Sequence, residues 1–178
     1  MYIRSKKRKL KSSSIIEYAY LVSIKWRKKR TPKQEVKKYL GRIYKLEKRE
    51  NKTFQNQTKD LEEYFKKTSI KTVKKDLFKS ELQNHGFSQQ SEDILINNKL
   101  KVNLNKATVE NSKNNKPISL ELNNNFLNSY TLNRIINYTP PKNLTKLQLG
   151  KEYANRLISA GIPLQEEVFV RLFKKEFS

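Results

Sequence analysis

The residues best suited to chemistry in this sequence are cations set among aromatic rings near its start. Arg4, Lys6, Lys7, Arg8, Lys9 and Lys11 come first, Trp26 follows with Arg27, Lys28, Lys29 and Arg30, and then Lys33, Lys37, Lys38 and Arg42. Tyr18, Tyr20, Tyr39 and Tyr44 are interleaved with them. Ammonium and guanidinium groups neutralise phosphates and release the counterions condensed on a nucleic-acid chain. Aromatic rings stack on bases, at roughly 1–3 kcal/mol per base. This mixture makes a phosphate backbone the expected ligand, with those fourteen cations and Trp26 as its candidate contacts.

The charge distribution points the same way. Residues 1–50 hold 18 basic and 4 acidic residues, whereas residues 51–178 hold 21 and 13. More than half of the net charge of +22 thus falls in less than a third of the chain, as expected of a localised basic face. A coding sequence rich in A and T explains why Lys and Asn are abundant, but it does not remove acidic residues. Attraction to an anionic membrane would need a broad apolar helix face or a lipidation site, and the sequence has neither. It also lacks a run of about 18 apolar residues or a signal-peptide pattern, so a soluble, cytoplasmic protein is expected, with no membrane partner.

Catalytic chemistry finds little support. The absence of cysteine excludes disulfides, thiolate-bound zinc and a thiol nucleophile, and His85 is the sole histidine. Two-metal nuclease or transposase chemistry needs converging carboxylates. Asp60, Glu62, Glu63, Asp76, Glu81, Glu92 and Asp93 instead stand among lysines and read as solvated ion-pair partners. His85 reads as a cation at a helix end, complementing the macrodipole. Only four glycines are present, with no phosphate-cradling GxxxxGK[ST] or GxGxxG. The expectation is a non-enzyme with no catalytic residue, metal or cofactor.

The elements that must position the cations come from periodicity. From Ile16 the even positions run Ile16, Tyr18, Tyr20, Val22, Ile24 and Trp26, a period of two that predicts a strand. The same row suits packing against helices, which is the favoured role for Tyr18 and Tyr20, while Trp26 stands evenly between packing and stacking. A shorter strand begins at Tyr2, Ile3 and Arg4 and ends in the run from Lys6 to Lys11, with Ser12, Ser13 and Ser14 as the turn. Arg27 to Pro32 form a basic loop, and Glu35 to Ile43 form a third strand that bulges or bends at Gly41. Ile43 to Lys52 read as a charged connector with helical potential.

Beyond it, Leu61, Tyr64 and Phe65, then Ile70, Val73, Leu77 and Leu82, repeat at helical spacing, as two helices or one interrupted near Thr68 and Ser69, with Gly86 as the stop. Short strands are expected over Asp93–Ile96, Lys99–Leu104 and Pro117–Leu122, with Lys106 to Lys116 as a flexible loop. Helices are expected over Phe126–Tyr138 and Leu149–Ala160, with Gly161 as C′ and Pro163 opening a last helix that holds Val168, Phe169, Leu172 and Phe173. This last pair reads as an antiparallel closure of the core, with a partner groove or dimer face as the rival use.

The stretch Glu17-Tyr18-Ala19-Tyr20-Leu21-Val22, a basic loop, and Lys33-Gln34-Glu35-Val36-Lys37-Lys38-Tyr39-Leu40-Gly41-Arg42 together resemble the β-rich N-terminal segment of DDE-type insertion-sequence transposases. The resemblance covers residues 1–45. It implies attachment to DNA through Lys33, Lys38 and Arg42, with Gly41 shaping the strand end. It implies nothing about transposition, because no catalytic core follows and Thr31-Pro32-Lys33 stands where an Arg is common. Residues 51–178 resemble uncharacterised small archaeal proteins.

The fold class expected is α+β: a basic three-stranded antiparallel sheet in residues 1–50, then a mixed domain in residues 51–178 with short strands and a helical C-terminal part. The function expected is non-catalytic binding of DNA or RNA. The rival is a structural part or accessory factor of the ribosome or another ribonucleoprotein, and a homodimer built on the C-terminal helices is a third reading.

Overall fold

Alternating residues at the start of the chain do form strands, and the strands are longer than the alternation alone suggests. In the computed structural model, which describes all residues except 11, 28, 29, 59, 142, 164 and 178 and omits the side chains of 27, 30, 31, 56 and 57, β1 spans Tyr2–Lys9, β2 Ile15–Arg27 and β3 Arg30–Lys45. The basic run from Lys6 to Lys9 lies within β1, and Lys11 lies outside the described residues. Each residue of β1 pairs with an apolar, aromatic or acidic residue of β2, from Tyr2 opposite Val22 to Lys9 opposite Ile15. Long cationic side chains suit an edge strand because they reach water on either side of the backbone. Ser12 and Ser13 turn the chain, and a 2.9 Å bond runs from the Leu10 N–H to the Ser14 carbonyl. The connector after Lys45 is not helical, since residues 46–50 carry no regular structure.

The three basic strands continue into the rest of the molecule. Arg42–Lys45 of β3 pair in parallel with Ile118–Glu121 of β8 (Ile118–Leu122), and β8 pairs antiparallel with β9 (Asn125–Asn128). The five-stranded sheet runs β1-β2-β3-β8-β9. A second, four-stranded meander holds β4 (Ser88–Ser91), β5 (Ile94–Asn97), β6 (Leu100–Asn103) and β7 (Thr108–Asn111). Thus the segment expected as a flexible loop contains β7, which pairs with β6 from Thr108 to Asn111. The helix expected from Phe126 is also split. Asn123 and Asn124 both adopt positive φ (49° and 61°), so the chain makes a tight hairpin, and β9 precedes the helix.

Helices α2 (Leu61–Lys67) and α3 (Ile70–Asn84) follow the short α1 (Phe54–Gln57), and the break between them is set by Ser69, whose hydroxyl caps α3 at the Thr72 N–H. Asn128 caps α4 (Ser129–Ile136), and Thr145 with Gln148 forms a capping box on α5 (Lys146–Ser159). Gly161 takes φ +80° after α5, where a side chain would strike the Leu122 carbonyl at 2.6 Å. Pro163 is not the first residue of the last helix, because α6 begins at Glu166 and ends at Phe177. The close approaches of Tyr153 to Phe169 and Phe177, and of Gly150 to Phe173, set the start of α5 against the end of α6. Val168 and Leu172 are buried, so this helix pair closes the core as expected.

The main core draws on α2 to α6 and the strands beyond β3, and includes Phe78, Leu82, Leu95, Leu120, Leu127, Leu132, Tyr153 and Leu172. Within it the Lys74 ammonium meets the Glu176 carboxylate at 2.7 Å, with both side chains buried and the Tyr138 and Tyr153 rings beside the cation. Breaking one partner of such a pair strands the other charge, so this contact fixes where α6 docks. A smaller cluster, Ala19, Leu21, Leu40 and Ile43 with Ile3, Phe126 and Tyr130, seats the basic strands on the rest. Among the described residues no helix is long and apolar enough to cross a membrane.

Gly41 governs the joint between β3 and β8. Its φ is +108°, and a Cβ there would lie 2.2 Å from the Pro117 carbonyl oxygen and 2.5 Å from Ile118 Cα. Both obstacles are backbone, so they cannot swing aside. Gly41→Ala is expected to lower the free energy of unfolding by about 3 kcal/mol, combining strain at positive φ with a backbone clash. Urea denaturation checks this, and a loss below about 1 kcal/mol would mean that the joint tolerates a side chain.

Candidate nucleic-acid interface

Residues paired across a ladder project to the same side of a sheet. Arg8 faces Ile16, Lys6 faces Tyr18, and Arg4 faces Tyr20. From the other flank Arg42 faces Tyr18 and Tyr39 faces Tyr20. Arg4, Lys6, Arg8, Tyr18, Tyr20, Tyr39 and Arg42 therefore share one face of the three-stranded region.

That face was expected to pack against helices, and it does not. Ala19 and Leu21, on the opposite face, join the small core cluster at 0% and 5% exposed; on the tyrosine face Val22 is buried at 1%, but Tyr18 and Tyr20 are half-buried and Tyr39 is 44% exposed. Covering the tyrosine row would bury Lys6 and Arg42 without partners, a penalty that the small Ala19 and the aliphatic Leu21 do not impose. Further along β3 the same face does enter the main core, where Tyr44 lies beside Leu120. The tyrosines occupy its uncovered continuation.

The rings there interact with each other and with cations. Tyr39 stands 6.2 Å from Tyr18 and 5.5 Å from Tyr20, centroid to centroid, both tilted. Lys6 lies 5.5 Å over the Tyr20 ring and Arg42 5.1 Å over that of Tyr44. Partial burial, reinforced by the neighbouring phenols Tyr18, Tyr20 and Tyr44, raises the Tyr39 hydroxyl above its ordinary value and keeps it a neutral donor.

The fourteen cations separate into distinct groups. Among the described residues Arg4, Lys6, Arg8, Lys9, Lys33, Lys38 and Arg42 form no salt bridge. Arg4 donates to the Gln34 side-chain oxygen, and Gln34 donates in turn to the Tyr2 hydroxyl at 2.6 Å. Lys7 points to the other face and pairs with Glu17 at 3.5 Å, a carboxylate that also meets Lys45 at 3.8 Å. Lys37 pairs with Glu35 at 2.9 Å, and Lys25 reaches the same oxygen at 2.9 Å. Trp26 is 80% exposed near the end of β2. Lys11, Lys28 and Lys29 lie outside the described residues, as do the side chains of Arg27 and Arg30.

The sequence reading missed the Glu35 clamp with Lys25. The hairpin register creates it, setting Ser23 opposite Glu35 and Lys25 opposite Lys33, and toward the sheet β3 then carries two bulges. Lys37 has no partner between Val36 and Lys38, and Leu40 has none between Tyr39 and Gly41. Each extra residue reverses the alternation. Strand periodicity carries a signal for a bulge at Gly41 but none at Lys37.

Elsewhere the carboxylates have structural work. Asp60 caps α2, Glu62 and Glu63 pair with Lys66 and Lys67, Asp76 accepts from the Tyr64 hydroxyl at 2.7 Å, and Asp93 meets Lys75. Glu81 departs from the expected solvated role, since it is 7% exposed. It accepts from Asn123 at 2.8 Å and from His85 at 3.1 Å. Burial pushes its carboxyl up, but His85, Asn123 and Lys48 together outweigh burial and leave it below the ordinary range. His85 stands at the end of α3, as expected, with its side chain buried against Glu81. Among the described residues no group of three or more His, Cys, Asp or Glu gathers to hold a metal ion.

Comparison of the chain with protein-family models, curated proteins and solved structures gives no match. The geometry of the open face therefore carries the functional argument.

The Lys25 ammonium, with Lys37 beside it, holds the Glu35 carboxyl below the usual glutamate range. Both lysines are consequently held at neutral pH and released only as the pH falls through that lowered midpoint. A carboxyl NMR titration is expected to place the Glu35 midpoint below that of a free glutamate, and to move it upward in Lys25→Gln/Lys37→Gln. An unmoved midpoint would show that the clamp does not persist in solution.

Proposed function

We propose that this chain is a non-catalytic nucleic-acid-binding protein that grips the phosphate backbone with the open face of β1 to β3. The observation that carries the reading is the set Arg4, Lys6, Arg8 and Arg42, gathered on one face with no carboxylate bound to any of them among the described residues. Their free charge is available to displace condensed counterions, which Lys7 and Lys37 achieve only by giving up Glu17 and Glu35.

A simpler explanation of the basic residues is protection of the sheet edge, since charge on an edge strand discourages pairing with another chain. It accounts for β1. It does not account for Arg42, which lies on β3 between β2 and β8, where no edge is exposed. Tyr18, Tyr20 and Tyr39 add hydroxyl groups to the same surface, which suits hydrogen bonding to phosphate and sugar oxygens.

Neutralising Arg4, Lys6, Arg8 and Arg42 together to Gln tests the assignment. Each phosphate contact contributes about 0.9 to the slope of log K against log salt on duplex DNA, so the slope is expected to shrink by about 3 to 4. The control removes equal charge from exposed sites elsewhere, Lys99, Lys106, Lys113 and Lys116 to Gln. Anisotropy titrations over a salt series read both variants. Equal losses in the two would replace a specific face by the mere net charge of the chain, and retained binding in the first would end the proposal.

A further inference from the structure

Beyond Val22 the β2–β3 hairpin leaves its neighbours behind. β1 pairs no further along β2 than Tyr2 opposite Val22, and β8 meets β3 only from Arg42 onward. Among the described residues, 23–27 and 30–35 have ladder partners only in each other, and Gln34 alone reaches a neighbour, through the Arg4 and Tyr2 side chains, so they project as a two-stranded ribbon. One side of that ribbon carries exposed apolar residues, Ile24 (46%) and Val36 (50%), with Gln34 opposite Ile24, and Trp26, 80% exposed, stands at the register shift near its end. On the other side Lys25 stands opposite Lys33. Residues 25–33 contain six cations and no carboxylate.

Exposed Trp, Ile and Val on a free ribbon need an occupant, and the charge around them selects one. A protein partner with an apolar patch would have to tolerate this cation density. A nucleic acid is drawn by it. The form of nucleic acid follows from shape. Two strands lie about 4.8 Å apart, and a two-stranded ribbon with its side chains fits the B-DNA major groove, about 12 Å wide. The deep, narrow major groove of A-form RNA does not admit it. A single strand would ask instead for an open stacking platform, whereas Tyr18 and Tyr20 are tilted 46° and 54° against Tyr39 and Lys6 covers the Tyr20 ring.

We infer that the β2–β3 ribbon enters the major groove of double-stranded DNA, with Trp26 and Ile24 against base edges and thymine methyl groups and Lys33, which has no carboxylate partner among the described residues, reaching the phosphates that wall the groove. This rests on the nucleic-acid reading above and adds the class of ligand and the element that reads it.

Trp26 is the only tryptophan, so its emission reports on the ribbon alone. The full chain is titrated with a labelled DNA duplex, one of its single strands and an RNA duplex of the same sequence, following label anisotropy for binding and Trp26 emission for ribbon contact. The expected result is a change in Trp26 emission, quenching or a blue shift, that saturates with the DNA duplex and is smaller with the other two. Trp26→Ala, an exposed change that leaves the far-ultraviolet circular dichroism intact, is expected to weaken duplex binding roughly tenfold while the salt slope stays constant. Binding of the duplex with unchanged Trp26 emission, or a larger response to single strand or RNA, overturns the groove inference and leaves the phosphate grip standing. No anisotropy change with any of the three ligands removes the phosphate grip as well.

Discussion

The parallel joint between β3 and β8 decides where the basic strands can go. At Gly41 the two backbones approach so closely that no side chain fits, and the Ser119 hydroxyl donates to the Leu40 carbonyl at 3.0 Å across the same joint. Leu40, left unpaired by the bulge, turns into the small cluster with Ala19, Leu21 and Ile43 and anchors the strand. The second bulge, at Lys37, follows within three residues toward the ribbon. Bulges bend a strand and increase its twist, so two in quick succession turn the ribbon relative to the sheet that holds it. The ribbon is thus fixed at its base while its far end stands clear of the other strands.

Charge is distributed to match this division. In the later part of the chain carboxylates neutralise neighbouring lysines: Glu62 with Lys66, Glu63 with Lys67, Asp93 with Lys75, and Glu110 with Lys101. Lys74 is even taken into the core against Glu176. Near the start Glu17 and Glu35 each serve two lysines, and both lie on the face away from Arg4, Lys6, Arg8 and Arg42. The open face thereby keeps Arg4, Lys6, Arg8 and Arg42 clear of carboxylates among the described residues, in a chain of net charge +22. Self-repulsion among them is tolerated because the apolar clusters that hold the fold lie elsewhere.

Much of this was legible in the residues. The α+β class, the three basic strands, the Ser12 to Ser14 turn, the break at Ser69 and the stop at Gly161 follow from period, capping chemistry and glycine. The errors have physical sources. The even row of β2 has the stronger alternation, but burial depends on what flanks a row across the ladder, and register is a property of three strands at once. Ala19 and Leu21 are the less conspicuous residues and the ones that pack. Strands β7 and β9 were missed because their turns use Asn and Ala at positive φ, at Ala107, Asn115, Asn123 and Asn124, where glycine would have marked them. Glu81 looked like its solvated neighbours because a buried acid is distinguished only by partners distant in sequence, here Asn123. At the candidate site the residue types were legible and their sorting was not: the sequence does not distinguish Lys6, free on the open face, from Lys7, paired behind it.

The free edge of β1 bears on partner choice as well. An unpaired strand edge is a template for a second copy of the same chain, but here the approaching edge would bring another Arg4, Lys6, Lys7, Arg8 and Lys9 against these. Like charges at strand spacing, about 5 Å, repel by several tenths of a kcal/mol per pair even in water and by more as water is displaced. A polyanion laid along the same face removes that repulsion instead of adding to it. The edge that would otherwise invite self-association is therefore, on the proposed reading, protected by the same residues that grip the ligand. The barrier to pairing through β1 and the attraction for a polyanion thus have one source, the charge of Arg4, Lys6 and Arg8, so removing those cations weakens both.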